Sequence, residues 1–188
     1  MRMQALLTGQ GALADRLAQV LVAQGWDVAR SATAAGAALA GGETLLVTVA
    51  PARATAWAPA LDEVVQAPVA LAQALAAAQP DPARDASGEV RAPAQVVHVL
   101  DRAALVPGCA DPVLAAASAA LVAALRDSAL TLAPRLRVNG LAVAAGTDPG
   151  PALRWLLGAH AVTGQVPGLG PDPRPATLWR RPAATEHC

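Results

Sequence analysis

Few residues in this chain have the type and spacing to do chemistry. Gly9, Gly11 and Ala14 spell G-x-G-x-x-A in the stretch MQALLTGQGALADRL, directly after Thr8. Glycines at that spacing let a chain turn sharply out of a strand, so that backbone N–H groups can approach a pyrophosphate at a helix N-terminus. The same pattern also makes a plain strand-to-helix turn, and the two readings carry about equal weight. Arg30 and Ser31 stand where dinucleotide binders carry an acidic residue for the ribose hydroxyls. A cation there suits a 2′-phosphate, although a solvated surface Arg is the simpler reading. Asp101 follows the apolar run VVHVL, as either a site carboxylate or a polar strand end. His98, His160 and His187 show no metal-ligand spacing, and Cys109 and Cys188 suggest neither a disulfide framework nor a metal site.

The elements that must position these residues alternate strand and helix. Strands are predicted over 4–7, 26–30 and 43–50, and helices over 12–24, closed by Gly25, and over 57–78. Pro68 should kink the second helix near Val64, because proline cannot donate to the carbonyl four residues back. The stretch from Val96 to Gly146 organises the rest: a buried strand, a loop, a helix over 110–132 and a strand over 135–143. Asp111 is the expected N-cap of that helix, Pro112 its first residue, and Pro134 ends it. Strand–helix–strand alternation implies parallel βαβ units and a Rossmann-like, doubly wound sheet.

Composition excludes several classes. The chain has 188 residues, 14 basic and 14 acidic, and a net charge of zero. That leaves no electrostatic footprint for nucleic acid. Every basic residue is Arg, and there is no Tyr or Phe. No uninterrupted apolar run reaches the length of a membrane span, and the N-terminus enters a strand without a signal peptide. The expected organisation is a single domain over 1–170 with an extended, Pro-rich tail over 171–188, in the cytoplasm. The segment QPDPARDASGEVRAP (79–93) reads as a surface loop. Trp179 in the tail would be exposed unless it docks.

The stretch from Val96 to Gly146 resembles the second half of the short-chain dehydrogenase/reductases, and within them the pteridine reductases. These place a Ser or Asp after this strand, a Tyr-x-x-x-Lys pair on the helix, and then a segment similar to ALTLAPRLRVNGLAVAAG. Asp101 falls on the Ser/Asp position, Leu114 on the Tyr position and Ser118 on the Lys position. LDEVVQAPVALAQAL is similar to the family segment that carries a catalytic Asn, and Val64 takes the place of that Asn. Thr8 and Gly9 match the start of the family's T-G-x-x-x-G-x-G. One residue is then missing, and Ala12 and Ala14 stand for the later glycines. Thr48, Val49, Ala50 and Pro51 stand for the Asn-Asn-Ala-Gly that walls the nicotinamide ribose. Thr163, Gly164 and Gln165 match the family's Thr-Gly-Gln before its last strand.

The resemblance implies the fold and argues against the reaction. With no Tyr anywhere, the family's proton donor is missing, and positioned acid–base catalysis is worth about 10²–10⁴-fold. The interval 31–42 is too short for the helix–strand–helix passage of the family, so one edge strand and the adenine pocket should be missing. The passage TDPGPALRWLLGA leaves no room for a substrate lid. The expected function is a non-catalytic structural or regulatory subunit, paired with an active reductase, that binds NADP weakly or not at all through Thr8, Gly9, Gly11, Ala14 and Arg30. The alternatives are an NADP-dependent reductase using Asp101, or a nucleotide- or pterin-binding protein without turnover. Helices 57–78 and 110–132 should build a homo- or hetero-oligomer, since the second carries an apolar stripe and a neighbouring stripe of small residues.

Overall fold

A computed structural model of the chain describes residues 3–40, 42–54, 56–80, 94–106, 108–159 and 162–171. Its strands are β1 (Met3–Thr8), β2 (Trp26–Ser31), β3 (Glu43–Val49), β4 (Ala94–Asp101), β5 (Leu136–Val143) and β6 (Gly168–Leu169). They form one six-stranded sheet in the order β2-β1-β3-β4-β5-β6. Every pairing is parallel. A parallel sheet must be covered on both faces, and its central strands read as continuous apolar runs. β3, β4 and β5 are buried almost end to end.

The helices divide between the two faces. On one face α1 (Ala12–Ala23) and α5 (Gly150–Gly158) set Leu17, Leu21, Leu153 and Leu156 against Leu7, Leu45, Val47, Val97 and Leu141. On the other, α3 (Ala67–Ala78) and α4 (Pro112–Thr131) set Leu71, Leu75, Leu125 and Ala129 against Leu6, Leu46, Val96 and Val138. Arg137 crosses to the first face, where it donates to the carbonyls of Ala159 and Leu157 at the end of α5. A cation is favourable at a helix C-terminus.

The expected kink takes a specific form. α2 (Trp57–Leu61) continues into one wide turn, Asp62–Gln66, before α3. The Ala67 N–H donates to Asp62, five residues back. Pro68 has no N–H to give to Val64, and the wide turn accommodates the break within a continuous helical path. Between Ser31 and Glu43 the described residues form no helix or strand, so β2 stands at the sheet edge. Among the described residues the edge strand expected to be missing is absent. Residues 81–93 of the expected loop, His160, His187 and the tail from 172 on, with Trp179 and Cys188, lie outside the described residues.

α4 is long and apolar enough, by length and composition alone, to cross a membrane. Here its inward face is core: Leu114, Ala117, Leu121, Leu125 and Ala129 are buried. Asp111 caps it as expected, accepting from the N–H of Val113 at 2.9 Å and of Leu114 at 3.3 Å. Asp111→Ala should cost about 1 kcal/mol of stability, read as a lower urea midpoint with an unchanged m-value.

A titratable residue sits at the centre of the sheet. His98 on β4 is fully buried, and its Nδ1 shares a 2.7 Å hydrogen bond with Thr48 Oγ1 on β3, while its Nε2 has no partner. Burial pushes its pKa from 6.5 down to about 4. As pH falls through 6.5 the unfolded chain takes up this proton, and the folded chain does not until about pH 4. His98 therefore costs no stability above pH 6.5 and progressively more as pH falls toward 4, with a slope of up to about 1.4 kcal/mol per pH unit. Urea unfolding of the wild type and of His98→Gln across that range checks this. The His98→Gln protein should lose stability less steeply as the solution is acidified.

Candidate functional site

The first turn of the site is shaped by backbone constraints. Gly9 has φ 110°, and a Cβ there would lie 2.7 Å from the Val49 carbonyl oxygen. No other residue allows β1 to leave the sheet this close to β3. The Gly9 N–H donates to the Ser31 carbonyl at 3.0 Å, which ties the turn to β2 as well. Gly11, with φ 88°, is the N-cap residue of α1, and open space surrounds the place where its Cβ would be. Ala14 is buried under the first turn of α1 and faces the sheet. Thr8 is buried too, and its Oγ1 has no partner.

A cavity of about 200 Å³ opens above this turn, at the carboxyl ends of β3, β4 and β5. Gly11, Leu13 and Arg16 line it from the α1 side, and Val49, Ala50, Asp101 and Val143 from the strand ends. A second cavity, about 370 Å³, adjoins it across Ala52 and Asp101 and is lined by Arg53, Cys109, Asp111 and Leu114. Asp101 thus faces both. One of its oxygens, Oδ1, accepts from the Ala103 N–H at 2.9 Å and caps the short turn Arg102–Leu105. The carboxylate is held in place by that bond while remaining half-exposed to the clefts.

The expected site residues are only partly brought together. Gly11 and Asp101 share the first cavity. Thr8, Gly9 and Ala14 shape the turn beneath it without lining it. Arg30 lies away from it on β2, in a 2.8 Å ion pair with Asp15 of α1. A guanidinium engaged in this way is less available to a phosphate than a free one. Leu114 and Val64 are 3% and 0% exposed and pack in one apolar cluster with Leu100, Ala117 and Leu121. Ser118 is fully buried, with its Oγ unpartnered. Arg16 was not singled out by the sequence. Its position two residues after Ala14, at the start of the second turn of a helix leaving a glycine turn, is the signal that could have found it. Among the described residues no group of three or more His, Cys, Asp or Glu is placed to hold a metal ion.

The arrangement can bind and orient a ligand between a cation and a carboxylate. It offers no proton donor at the helix positions Leu114 and Ser118 that face the sheet.

No protein-family model matches the sequence, and no curated protein matches it either. Solved structures do. FolM alternative dihydrofolate reductase 1 from Brucella canis, solved with NADP, is 18% identical, with a TM-score of 0.72 over 98% of each chain. Acetoin dehydrogenase from Enterobacter cloacae is 16% identical, with a TM-score of 0.70 over 90% of this chain and 95% of that one. The NADH-dependent enoyl-[acyl-carrier-protein] reductase of Aquifex aeolicus is 19% identical, with a TM-score of 0.68 over 88% of this chain and 94% of that one. The all-parallel sheet, the glycine turn into α1 and the helices on both faces are therefore the short-chain dehydrogenase/reductase fold.

Proposed function

We propose that this chain is a non-catalytic subunit of short-chain reductase descent, which assembles through α2–α3 and α4 with an active reductase or, failing that, with its own copy. The observation that carries this is the packing of Leu114 and Val64 in one apolar cluster. In the resembled family these positions hold the proton donor and the Asn of the proton relay. Here Val64 is core, and Leu114 brings an apolar side chain with no titratable group to the wall of the second cavity. Ser118, at the Lys position, carries no charge to lower a neighbour's pKa.

The assembly surface is supported by what α2 and α4 leave uncovered. Trp57 and Leu61, one helical turn apart on α2, are 54% and 36% exposed. On α4 Ala116 is exposed, and Val113, Ala120 and Ala124 are half-buried. Small residues on a helix allow close approach of a second helix, and aromatic residues such as Trp57 anchor interfaces. The protein on this reading is soluble and cytoplasmic.

The second reading, an NADP-dependent reductase, draws on the retained glycine turn and on Asp101 at the cleft. Steady-state assays with NADPH and dihydropterins should give no turnover above background. Turnover that disappears in Asp101→Ala would overturn the subunit reading. Calorimetric titration should likewise show NADPH binding weaker than micromolar, a binding free energy less favourable than about −8 kcal/mol.

The assembly makes its own prediction. The unmodified chain should scatter light as an oligomer at micromolar concentration. Ala120→Glu with Ala124→Glu should release monomer or precipitate the protein, because charge would be buried at the contact. A stable wild-type monomer, or a double variant that assembles unchanged, would remove the interface.

A further inference from the structure

We infer that the cavity above the β1–α1 turn binds a small zwitterion, its anionic group held by Arg16 and its ammonium group by Asp101. Both side chains line the same cavity of about 200 Å³. They do not neutralise each other, since no ion pair joins them. The Arg16 Nε is buried and has no hydrogen-bond partner. Asp101 uses Oδ1 on the Ala103 N–H and leaves Oδ2 without a partner among the described residues. The remaining walls are largely apolar, with Leu13, Val49 and Val143 among them.

A buried, unpartnered guanidinium nitrogen is costly, and the Asp101 carboxylate in the same cavity keeps one oxygen open to a ligand. A ligand that carries both complementary charges satisfies the two at once, and the excluded water strengthens each contact. A ligand with one charge satisfies one wall and leaves the other as it was. Taken without the second cavity that adjoins it across Ala52 and Asp101, this cavity is smaller than the roughly 300–1,000 Å³ of drug-sized sites, and a molecule of amino-acid size would fill it. Its position adds a separate argument. β1 connects outward to β2 on one side, and its other neighbour β3 connects onward to β4. The cavity sits at the carboxyl ends of strands beside this reversal of strand order, where open α/β sheets bind their ligands. The inference does not rest on the subunit reading, because neither Arg16 nor Asp101 belongs to the exposed faces of α2 and α4.

The test uses the full chain with glycine, β-alanine and γ-aminobutyrate as probes, and butyrate and butylamine as controls carrying one charge each. Calorimetry and thermal melts are run on the wild type, Arg16→Gln and Asp101→Asn, with urea midpoints to establish that each variant folds. At least one amino acid should bind and raise the melting temperature. Each control should bind at least about tenfold more weakly. Arg16→Gln should bring the best amino acid down to the level of butylamine, and Asp101→Asn should bring it down to the level of butyrate. Absence of millimolar binding by all three amino acids would overturn the proposal. So would butyrate or butylamine binding as tightly as the amino acids, or affinity unchanged in both folded variants.

Discussion

The inward face of α4, pressed onto β4 and β5, is the constraint on which the rest of the molecule depends. Residues four apart on a helix share a face, so Leu114, Ser118, Leu121 and Leu125 all look toward the sheet. In a reductase of this fold the same face must both fill the core and present a proton donor to the cleft. In this chain Leu121 and Leu125 fill the core, and Leu114 forms an apolar part of the second cavity's wall. Burying a leucine side chain is worth about 1.5–3 kcal/mol, so Leu114 adds stability where a phenol would have faced a substrate. Ser118 lies between the two solutions. It is buried with its hydroxyl unpartnered, too small to reach the cleft and too polar to pack as leucine does.

The sheet that receives α4 makes a similar compromise at His98. β4 runs apolar on both faces, and His98 is the polar residue in its middle. Across the β3 pairing lies Thr48, which satisfies one ring nitrogen. On the other side β5 offers Gly140, whose missing side chain leaves room for Leu125 and Val166 at about 3 Å from where a Cβ would be. Glycine here lets α4 and the segment before β6 close over the sheet. The core is continuous around His98, and this is why burial keeps the imidazole neutral.

Much of the fold was legible because its signals are local. The glycine turn, the Asp111–Pro112 helix start and the β-branched runs each have one physical meaning, and the structure places them within a residue or two of the expected boundaries. The shortness of the interval 31–42 exposed the missing edge strand by arithmetic of chain length alone. The site was less legible because it depends on which face a side chain takes and on what stands opposite it. Pro68 announces a break but not that the break becomes one wide turn. Arg30 matches a phosphate-binding position in sequence, yet Asp15 lies one helix away and engages it. Arg16 carries no motif, and only the closure of β3 and β5 around α1 makes it line a cavity.

The short interval also explains why the remaining cleft is small. After Ser31 the chain turns back toward the wide helical turn on the opposite face of the sheet. There the Glu63 carboxylate accepts from the N–H groups of Ala34 at 2.7 Å and Ala35 at 3.4 Å. Ala34 is buried against the same core cluster as Leu71 and Leu75. The wide turn forced by Pro68 thus carries the residue that fastens the shortened connection. Opening this chain to admit a longer ligand along β2 would break the charged hydrogen bond to the Ala34 N–H, worth about 1.5–3 kcal/mol, and expose Ala34. The short connection is therefore part of the packed structure and not a slack link. It packs Ala34 under the helical layer on one face, while the cleft lies between α1 and the ends of β3, β4 and β5.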